Sequence, residues 1–278
     1  MGTKYLLYID LLGFTGLVRR DPARVEKIYS VLNSLNVHSH AVFRTIVFSD
    51  TILAYNHEEP TTPDMHGYVV WYSIEFAEDL HDRLTGQDIY FRAVLLRGEF
   101  RHYRLKNVEC FFGNALVDAY LREKEIPSLG LFIESECNSH NRYFRTAPFS
   151  KDLHFVYLNR SIENFHQDTQ GTLPADDPCI DDSYPDLAAQ VRFLQDVHRN
   201  MREHPEASVR SKFLTAWDFY FRRYPKVLSA LAEADFDLSV LSPRHDWSNQ
   251  LRVLRKNIEY FSHPEAVVQV NGADTSRA

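Results

Sequence analysis

The sequence is poor in cysteine, lacks long apolar runs and carries no excess of basic residues. Its three cysteines, Cys110, Cys137 and Cys179, are odd in number and widely spaced. This arrangement supports neither a disulfide framework nor a thiolate metal site, and it is typical of reduced thiols in a cytoplasmic protein. No apolar segment approaches the roughly 20 residues that span a bilayer. Asp10 interrupts the N-terminal apolar run too early for a signal peptide.

The balance of charge argues against nucleic acid as a partner. The formal net charge is −7, so no global basic field attracts a polyanion. A hydrophobic fraction of 44% is ordinary for a soluble globular protein, and 278 residues suit one large domain or a domain with an appended subdomain. We therefore expect a cytoplasmic protein whose partners include neither nucleic acid nor a membrane.

Two aspartates, each at the end of an apolar β-like run, are the most informative residues of the chain. Asp10 follows the run of residues 5–9, and Asp50 follows the run of residues 45–48. Carboxylates placed where strands emerge from a sheet can converge, and two of them suit a divalent metal ion. After Asp10 the chain passes through Gly13 into a helical pattern, where backbone N–H groups can hold a phosphate. Metal and phosphate together indicate nucleotide chemistry.

Each aspartate also has a purely structural interpretation, because an aspartate after a strand commonly forms a turn or caps a helix. Two such residues, each preceded by a largely apolar strand and separated by one helix, are less easily explained in that way. The local pattern by itself therefore favours a functional role only slightly.

The order of the predicted elements is that of an α+β protein. Apolar periodicity predicts, in chain order, a strand at 4–10, a helix at 22–36, strands at 41–49 and 51–56, a helix at 64–84, strands at 89–97 and 108–112, a helix at 114–124 and a strand at 130–136. The pair of strands around Asp50 forms a hairpin with its tip at that residue. This hairpin predicts antiparallel pairing, in contrast to a doubly wound parallel sheet.

The character of the chain changes after about residue 160. Residues 161–184 are polar and rich in Asp and Pro, which predicts a linker or loop. A helical C-terminal subdomain is predicted at 185–268, with helices at about 185–203, 206–235 (broken at Pro225) and 245–262. Aromatic residues between Phe213 and Tyr224 give one helix a wide apolar face, which indicates core or interface. The tail at 269–278 is predicted to be disordered.

Three motifs in order resemble class III nucleotidyl cyclases. Residues 8–15, Tyr-Ile-Asp-Leu-Leu-Gly-Phe-Thr, resemble the first metal motif of that family, and Ser49-Asp50-Thr51 resembles the second. Residues 113–122 resemble the last helix, in which an asparagine and an arginine four residues apart hold the transition state; here Asp118 and Arg122 have that spacing. The resemblance covers residues 4–136. The length and the helical extension look most like the bacterial pyrimidine cyclases of the Pycsar anti-phage systems, which make cyclic UMP or cyclic CMP.

The resemblance implies a fold and a set of site residues. It implies a ferredoxin-like mixed or antiparallel sheet with helices on one side, in a catalytic domain at 1–160. Two Mn²⁺ or Mg²⁺ ions are expected on the carboxylates of Asp10 and Asp50 and the carbonyl of Leu11. Backbone N–H groups of Leu12, Gly13, Phe14 and Thr15 are expected to hold the β- and γ-phosphates. Arg122, with Asp118, is expected to contact the α-phosphate, and Arg97 the triphosphate or the base. Arg97 has an equally good alternative, an ion pair with Glu99.

The resemblance also implies partners. In this family each active site lies between two chains arranged head to tail, one supplying the metal aspartates and the other the arginine. A homodimer is therefore expected, with UTP or CTP as substrate and a separate effector protein that responds to the cyclic nucleotide. This assembly would leave a single chain inactive.

Two departures from the family pattern bear on the base. Purine cyclases read the base with a lysine and an acidic residue, and by spacing these positions are Ile46 and Phe111 here. Apolar side chains offer no donor or acceptor, so a smaller base fits better. Three alternatives remain open: a cytidylate cyclase, a purine cyclase with unusual base recognition, and an inactive nucleotide-binding regulatory module, which the missing asparagine permits. A phosphatase is disfavoured because Leu12 stands where a second carboxylate is expected.

Overall fold

The computed structural model describes residues 2–175 and 179–262. The strands within them are β1 (Thr3–Leu12), β2 (Phe43–Phe48), β3 (Thr51–Asn56), β4 (Tyr90–Glu99), β5 (Arg101–Arg104), β6 (Glu109–Phe112), β7 (Gly130–Glu134), β8 (Thr146–Pro148) and β9 (Leu153–Val156). The helices are α1 (Phe14–Arg20), α2 (Pro22–Asn33), α3 (Pro63–Leu84), α4 (Asn114–Glu125), α5 (Ser135–Asn138), α6 (Arg160–Thr169), α7 (Ile180–Ser183), α8 (Leu187–Glu203), α9 (Ala207–Arg223), α10 (Pro225–Glu233) and α11 (Ser248–Ser262).

Seven strands form one mixed sheet in the order β2–β3–β1–β4–β7–β9–β8, and β5 and β6 form a separate hairpin. Neighbouring strands of the sheet are antiparallel except β4 and β7, which are parallel. The predicted α+β class and the mostly antiparallel sheet are confirmed. The predicted hairpin is confirmed as β2 and β3, and Ser49 takes the left-handed conformation that its tight turn requires.

The central strand β1 is apolar on both faces, and each face builds a separate core. Tyr5, Leu7 and Ile9 lie in the core formed with α2 and α3. Leu6 and Tyr8 lie in the core formed with α4 and the C-terminal helices. Successive side chains of a strand point to opposite faces, so Asp10 lies on the second of these faces. Helices α2 and α3 therefore cover one face of the sheet. The other face is covered by α4 and by the helical C-terminal extension.

The C-terminal helices follow the predicted pattern, with one correction before them. The break at Pro225 is confirmed: α10 begins at this residue, whose missing N–H costs little in a first turn. The segment at 161–184 is not simply a polar loop, because it contains most of α6 and all of α7. Ile162 and Phe165 of α6 are fully buried. These two apolar residues are too few to indicate a helix in a segment whose later part is acidic and rich in proline. The predicted disordered tail at 269–278 lies outside the described residues.

Two further observations concern the environment of the chain. None of Cys110, Cys137 and Cys179, all of which lie in the described part of the chain, is joined in a disulfide bond. Within residues 2–175 and 179–262, none of the helices combines the length and apolar character needed to cross a bilayer.

Gly113 connects the β5–β6 hairpin to α4 and allows no side chain. Its φ is +150°, and a Cβ atom built on it would lie 2.1 Å from the backbone oxygen of Glu99. Gly113→Ala is therefore expected to lower the free energy of unfolding by about 2–3 kcal/mol, because the backbone must shift. Urea denaturation of the purified variant measures this change.

The matched control for that measurement is Gly67→Ala. Gly67 lies inside α3, and the nearest atom to an added Cβ would be the His140 oxygen at an ordinary 3.6 Å. Alanine in a helix interior is preferred over glycine by about 0.5–1 kcal/mol, so this variant should be neutral or stabilised. Equal stability of the two alanine variants would contradict the steric argument for Gly113.

Candidate active site

The register of the sheet brings Asp10 and Asp50 together. Asp10 of β1 lies directly opposite Thr51 of β3, which follows Asp50 at the hairpin tip. The backbone N–H of Leu11 donates a hydrogen bond of 2.9 Å to the Asp50 carbonyl oxygen. Burial raises the pKa of the Asp10 carboxyl, and the nearby charge of Asp50 raises it further. The two carboxylates thus converge at one end of the sheet, where their mutual repulsion favours a cation.

Two cations act on the same carboxylate, and sequence analysis had assigned neither to the site. Arg92 of β4 lies directly opposite Asp10, and Lys212 of α9 approaches from the C-terminal helices; both lower the pKa of Asp10. Arg92 is already engaged, since its guanidinium donates to Glu123 and, at 2.7 Å, to the carbonyl oxygen of Ile126. The position of Arg92 follows from strand register alone. Nothing in the local sequence signals Lys212.

Tyr29 of α2 holds the tip of the β2–β3 hairpin in place. The Tyr29 hydroxyl donates a hydrogen bond of 3.0 Å to the carbonyl oxygen of Ser49. The ring of Tyr29 also meets the edge of Phe14 at a centroid distance of 6.3 Å, and Phe14 is buried in the first turn of α1. One tyrosine therefore ties the turn after β1 to the tip that carries Asp50. This support fixes the two halves of the site relative to each other.

The turn after Asp10 leads through Gly13 into α1. Gly13 precedes α1 in the left-handed conformation, with φ +78°, and its carbonyl accepts the N–H groups of Gly16 and Leu17. The first N–H groups of a helix have no partner within it, so those of Phe14 and Thr15 are available to an anion. Leu12, the last residue of β1, brings this turn directly beside the carboxylates.

Apolar side chains occupy the same face of the hairpin as the carboxylates. Phe48 lies opposite Thr51, which lies opposite Asp10, so the three side chains form one row across the sheet. Phe48 is 71% exposed, an unusual state for an aromatic residue in a strand. Ile46 is on the same face two residues earlier, packed at the border of the core. This part of the site offers packing and few polar groups.

The structure does not bring Arg122 to Asp10 and Asp50 of its own chain. The guanidinium of Arg122 pairs with Glu134 at 2.8 Å and Asp152 at 2.7 Å. Ile133 of β7 pairs with Leu95 of β4, so the next residue, Glu134, is level with residue 96. That level is four residues, roughly 13 Å, along β4 from Arg92, the residue opposite Asp10. Asp118 is exposed on α4, and the ion-pair partners of Arg122 are Glu134 and Asp152, not Asp118.

Arg97 also lies apart from the two aspartates. It is opposite Tyr5 in the register, five residues and roughly 17 Å from Asp10, on the other face of the sheet. Its guanidinium pairs with Glu136 at 2.6 Å and Glu59 at 3.7 Å. The alternative partner suggested by the sequence, Glu99, is not the one observed. Within one chain, Arg97 therefore lies at the end of the sheet opposite to the two aspartates.

The donors at the hairpin tip suit a hard divalent cation. Among the described residues, no group of three or more His, Cys, Asp or Glu side chains is arranged to hold a metal ion. The candidate donor set is two carboxylates, Asp10 and Asp50, with the carbonyl of Leu11. In a strand the N–H and C=O of one residue point to the same side, so the Leu11 carbonyl faces the hairpin tip. Oxygen ligands of this kind are those that Mg²⁺ and Mn²⁺ prefer.

Comparison with known proteins finds resemblance in solved structures alone. No family model matches the chain, and no curated protein matches it. The adenylyl cyclase CyaB from P. aeruginosa aligns with 56% of this chain and 93% of its own, at 12% identity and a TM-score of 0.41. The guanylyl cyclase Cya2 aligns with 56% and 93%, at 15% identity and a TM-score of 0.40. The monomeric guanylyl cyclase domain of RhoGC from Blastocladiella emersonii aligns with 56% and 94%, at 13% identity and a TM-score of 0.43. Similarity at this level assigns neither a family nor an activity to the chain.

Proposed function

We propose that the protein is a nucleotidyl cyclase that converts UTP to 3′,5′-cyclic UMP and diphosphate, with CTP as the alternative substrate. The observation that carries the proposal is the convergence of Asp10 and Asp50 beside the Gly13 turn. That arrangement combines oxygen ligands for divalent ions with backbone donors for phosphates. The motif resemblance described above gives the combination its specific chemistry.

The reaction exchanges one bond to phosphorus for another. The ribose 3′ oxygen loses its proton and bonds to the α-phosphorus, and the bond from that phosphorus to the bridging oxygen of the β-phosphate breaks. Two divalent ions on Asp10 and Asp50, when bound, supply acidity for the hydroxyl and neutralise charge on the leaving diphosphate. The N–H groups of residues 12–15 hold the β- and γ-phosphates, which fixes the α-phosphorus for attack.

Apolar side chains around the site support a pyrimidine. Ile46 and Phe48 line the carboxylate face of the hairpin, and Phe111 packs at the border of the same core. None of the three can pair with the exocyclic groups by which adenine and guanine are distinguished. A pyrimidine, stacked on an exposed aromatic ring such as Phe48, needs fewer polar contacts. An anti-phage signalling role, with a separate effector for the cyclic nucleotide, follows from the Pycsar resemblance.

A second copy of the chain supplies what the first lacks. Arg122 lies away from the carboxylates of its own chain, but a head-to-tail partner can deliver it to the α-phosphate, where its fork of donors stabilises developing charge. The surface around Arg122 suits such a contact. Val117 and Leu121, four residues apart on one face of α4, are each about half exposed, and so is Phe112 at the end of β6.

One observation favours a second candidate, an inactive nucleotide-binding module. Asp118 stands in place of the asparagine that the resemblance requires, and Arg122 is occupied by two carboxylates, Glu134 and Asp152. A module of this kind would bind a nucleoside triphosphate and regulate a partner without turnover. The retained pair of aspartates favours the enzyme.

A direct assay separates these candidates. Purified protein is incubated with UTP, CTP, ATP and GTP separately, each with Mn²⁺, and products are identified by mass spectrometry. We expect a cyclic pyrimidine monophosphate and diphosphate in equal amounts, with cyclic UMP the main product. A cyclic purine as main product would contradict the pyrimidine assignment. Binding without any product would favour the regulatory module.

A further inference from the structure

Helix α9 places a lysine on its inward face, above the candidate active site. Lys212 lies one turn from Val209 and one turn from Ala216; Val209 packs at the border of the core, and Ala216 is fully buried. Residues three and four apart share one face of a helix, so Lys212 points toward the sheet and is half-buried. A lysine in this position would ordinarily extend to solvent.

The neighbouring residue anchors α9 at the end of the sheet that carries Asp10. The ring of Phe213 meets the edge of the Tyr90 ring at a centroid distance of 4.7 Å. Tyr90 lies opposite Leu12, at the start of the phosphate-binding turn. A second contact comes from α8, where the Asn200 side chain donates to the Tyr90 hydroxyl at 3.1 Å. The first half of α9 is thus fixed beside the last residues of β1.

The Lys212 ammonium has charged neighbours but no committed partner among the described residues, where it makes neither a hydrogen bond nor an ion pair. Burial lowers its pKa, the like charge of Arg92 lowers it further, and the charges of Asp10 and Glu206 oppose that change. Arg92 is paired with Glu123, and Glu206 is exposed just before the start of α9. The cluster of Asp10, Arg92 and Lys212 therefore contains one cation that is free to bind an anion.

We propose that Lys212 binds the polyphosphate of the nucleotide, so that the C-terminal helices contribute a cation to the active site from the same chain as the two aspartates. The ammonium lies close enough to Asp10 and to Arg92 of β4 for their charges to act on it. It would add a point charge to the backbone donors of residues 12–15 and favour the leaving diphosphate. This inference rests on the proposed function for its substrate, but not for its first test.

That test is binding of inorganic tripolyphosphate, with Mn²⁺, by isothermal titration calorimetry. Tripolyphosphate has no base or ribose, so it measures the phosphate subsite whether or not the protein is a cyclase. Lys212→Met, which keeps the length of the side chain, is expected to weaken binding about tenfold or more, as loss of a charge-assisted hydrogen bond does. Lys212→Arg, which keeps the charge, is expected to stay within about threefold of the wild type.

Controls distinguish a phosphate contact from a purely structural lysine. Lys256→Met, at an exposed position on α11, removes the same charge away from the site and should bind as the wild type does. Thermal unfolding shows whether each variant is folded, and Lys212→Gln replaces Lys212→Met if the latter is not. Wild-type affinity in a folded Lys212→Met or Lys212→Gln protein, or no binding by the wild type, would overturn the inference.

Turnover separates this inference from the proposed function. With UTP, or whichever nucleotide the protein cyclises, Lys212→Met should raise KM about tenfold and lower kcat less. Normal kinetics in this variant of an active cyclase would refute the role of Lys212 and leave the function intact. A Lys212-dependent tripolyphosphate site in a protein that cyclises no nucleotide would refute the function and leave the role of Lys212 intact.

Discussion

Asp50→Asn is expected to abolish cyclisation, lowering turnover by at least about a thousandfold, while the chain stays folded. The substitution removes one of the two carboxylates that would hold the divalent ions and keeps the size of the side chain. Asparagine is also well tolerated in tight turns, so the hairpin between β2 and β3 should persist. The measurement is the initial rate of cyclic nucleotide formation at saturating Mn²⁺, beside a thermal unfolding curve.

The unfolding curve carries its own expectation. Asp50 and Asp10 repel each other across the hairpin tip, so removing one charge should leave stability in metal-free buffer unchanged or slightly higher. Wild-type protein should gain stability from added Mn²⁺, and Asp50→Asn should gain less, because the ions bind the folded state. Asp64→Asn, at an exposed aspartate at the start of α3, is the control and should match the wild type in both measurements. Retained turnover in folded Asp50→Asn would refute the two-ion proposal.

The parts of the site that the sequence predicted are those that local patterns encode. The run from Tyr5 to Ile9 is too continuous to be anything but a central strand, and the alternation around Asp50 is typical of a hairpin. The meeting of Asp10 and Asp50 then depends on register, which the apolar pattern largely fixes, since a slip of one residue would bury polar side chains. For these reasons the proximity of Asp10 and Asp50 could be predicted from the sequence.

The remaining parts depend on packing between distant segments, which no local pattern encodes. The aromatic stripe of α9 predicts an apolar face, but it does not say which surface receives that face. The contact between Phe213 and Tyr90 shows which end of the sheet receives α9, and this packing brings the charge of Lys212 close to Asp10. Arg97 is a second example, because the sequence leaves a substrate contact and an ion pair open for it, and only the register shows that it lies opposite Tyr5, at the other end of β1 from Asp10. The neighbours of a charged residue in a strand depend on its position along the strand and on the face of the sheet to which its side chain points.

A mixed dimer of Asp50→Asn and Arg122→Ala chains is expected to be active although each variant alone is not. Arg122→Ala alone should lower turnover about a hundredfold to a thousandfold and change nucleotide binding little, because its contact strengthens in the transition state. In a head-to-tail dimer, one site of the mixed pair carries both substitutions and the other carries neither. Co-expression with two affinity tags and purification on both should therefore give about half of the wild-type activity per dimer.

The reciprocal pair makes the result decisive. A wild-type chain paired with a chain that carries both substitutions has one defect in each site if Arg122 acts across the interface, and it should be nearly inactive. If each chain contains a whole site, this second pair keeps about half of the activity and the first pair has almost none. The separation of Arg122 from Asp10 along the sheet favours the arrangement across the interface. The ion pairs with Glu134 and Asp152 hold Arg122 away from Asp10 and Asp50 of the same chain. The two pairs thus give opposite results under the two arrangements, and a reversed outcome would exclude the shared site.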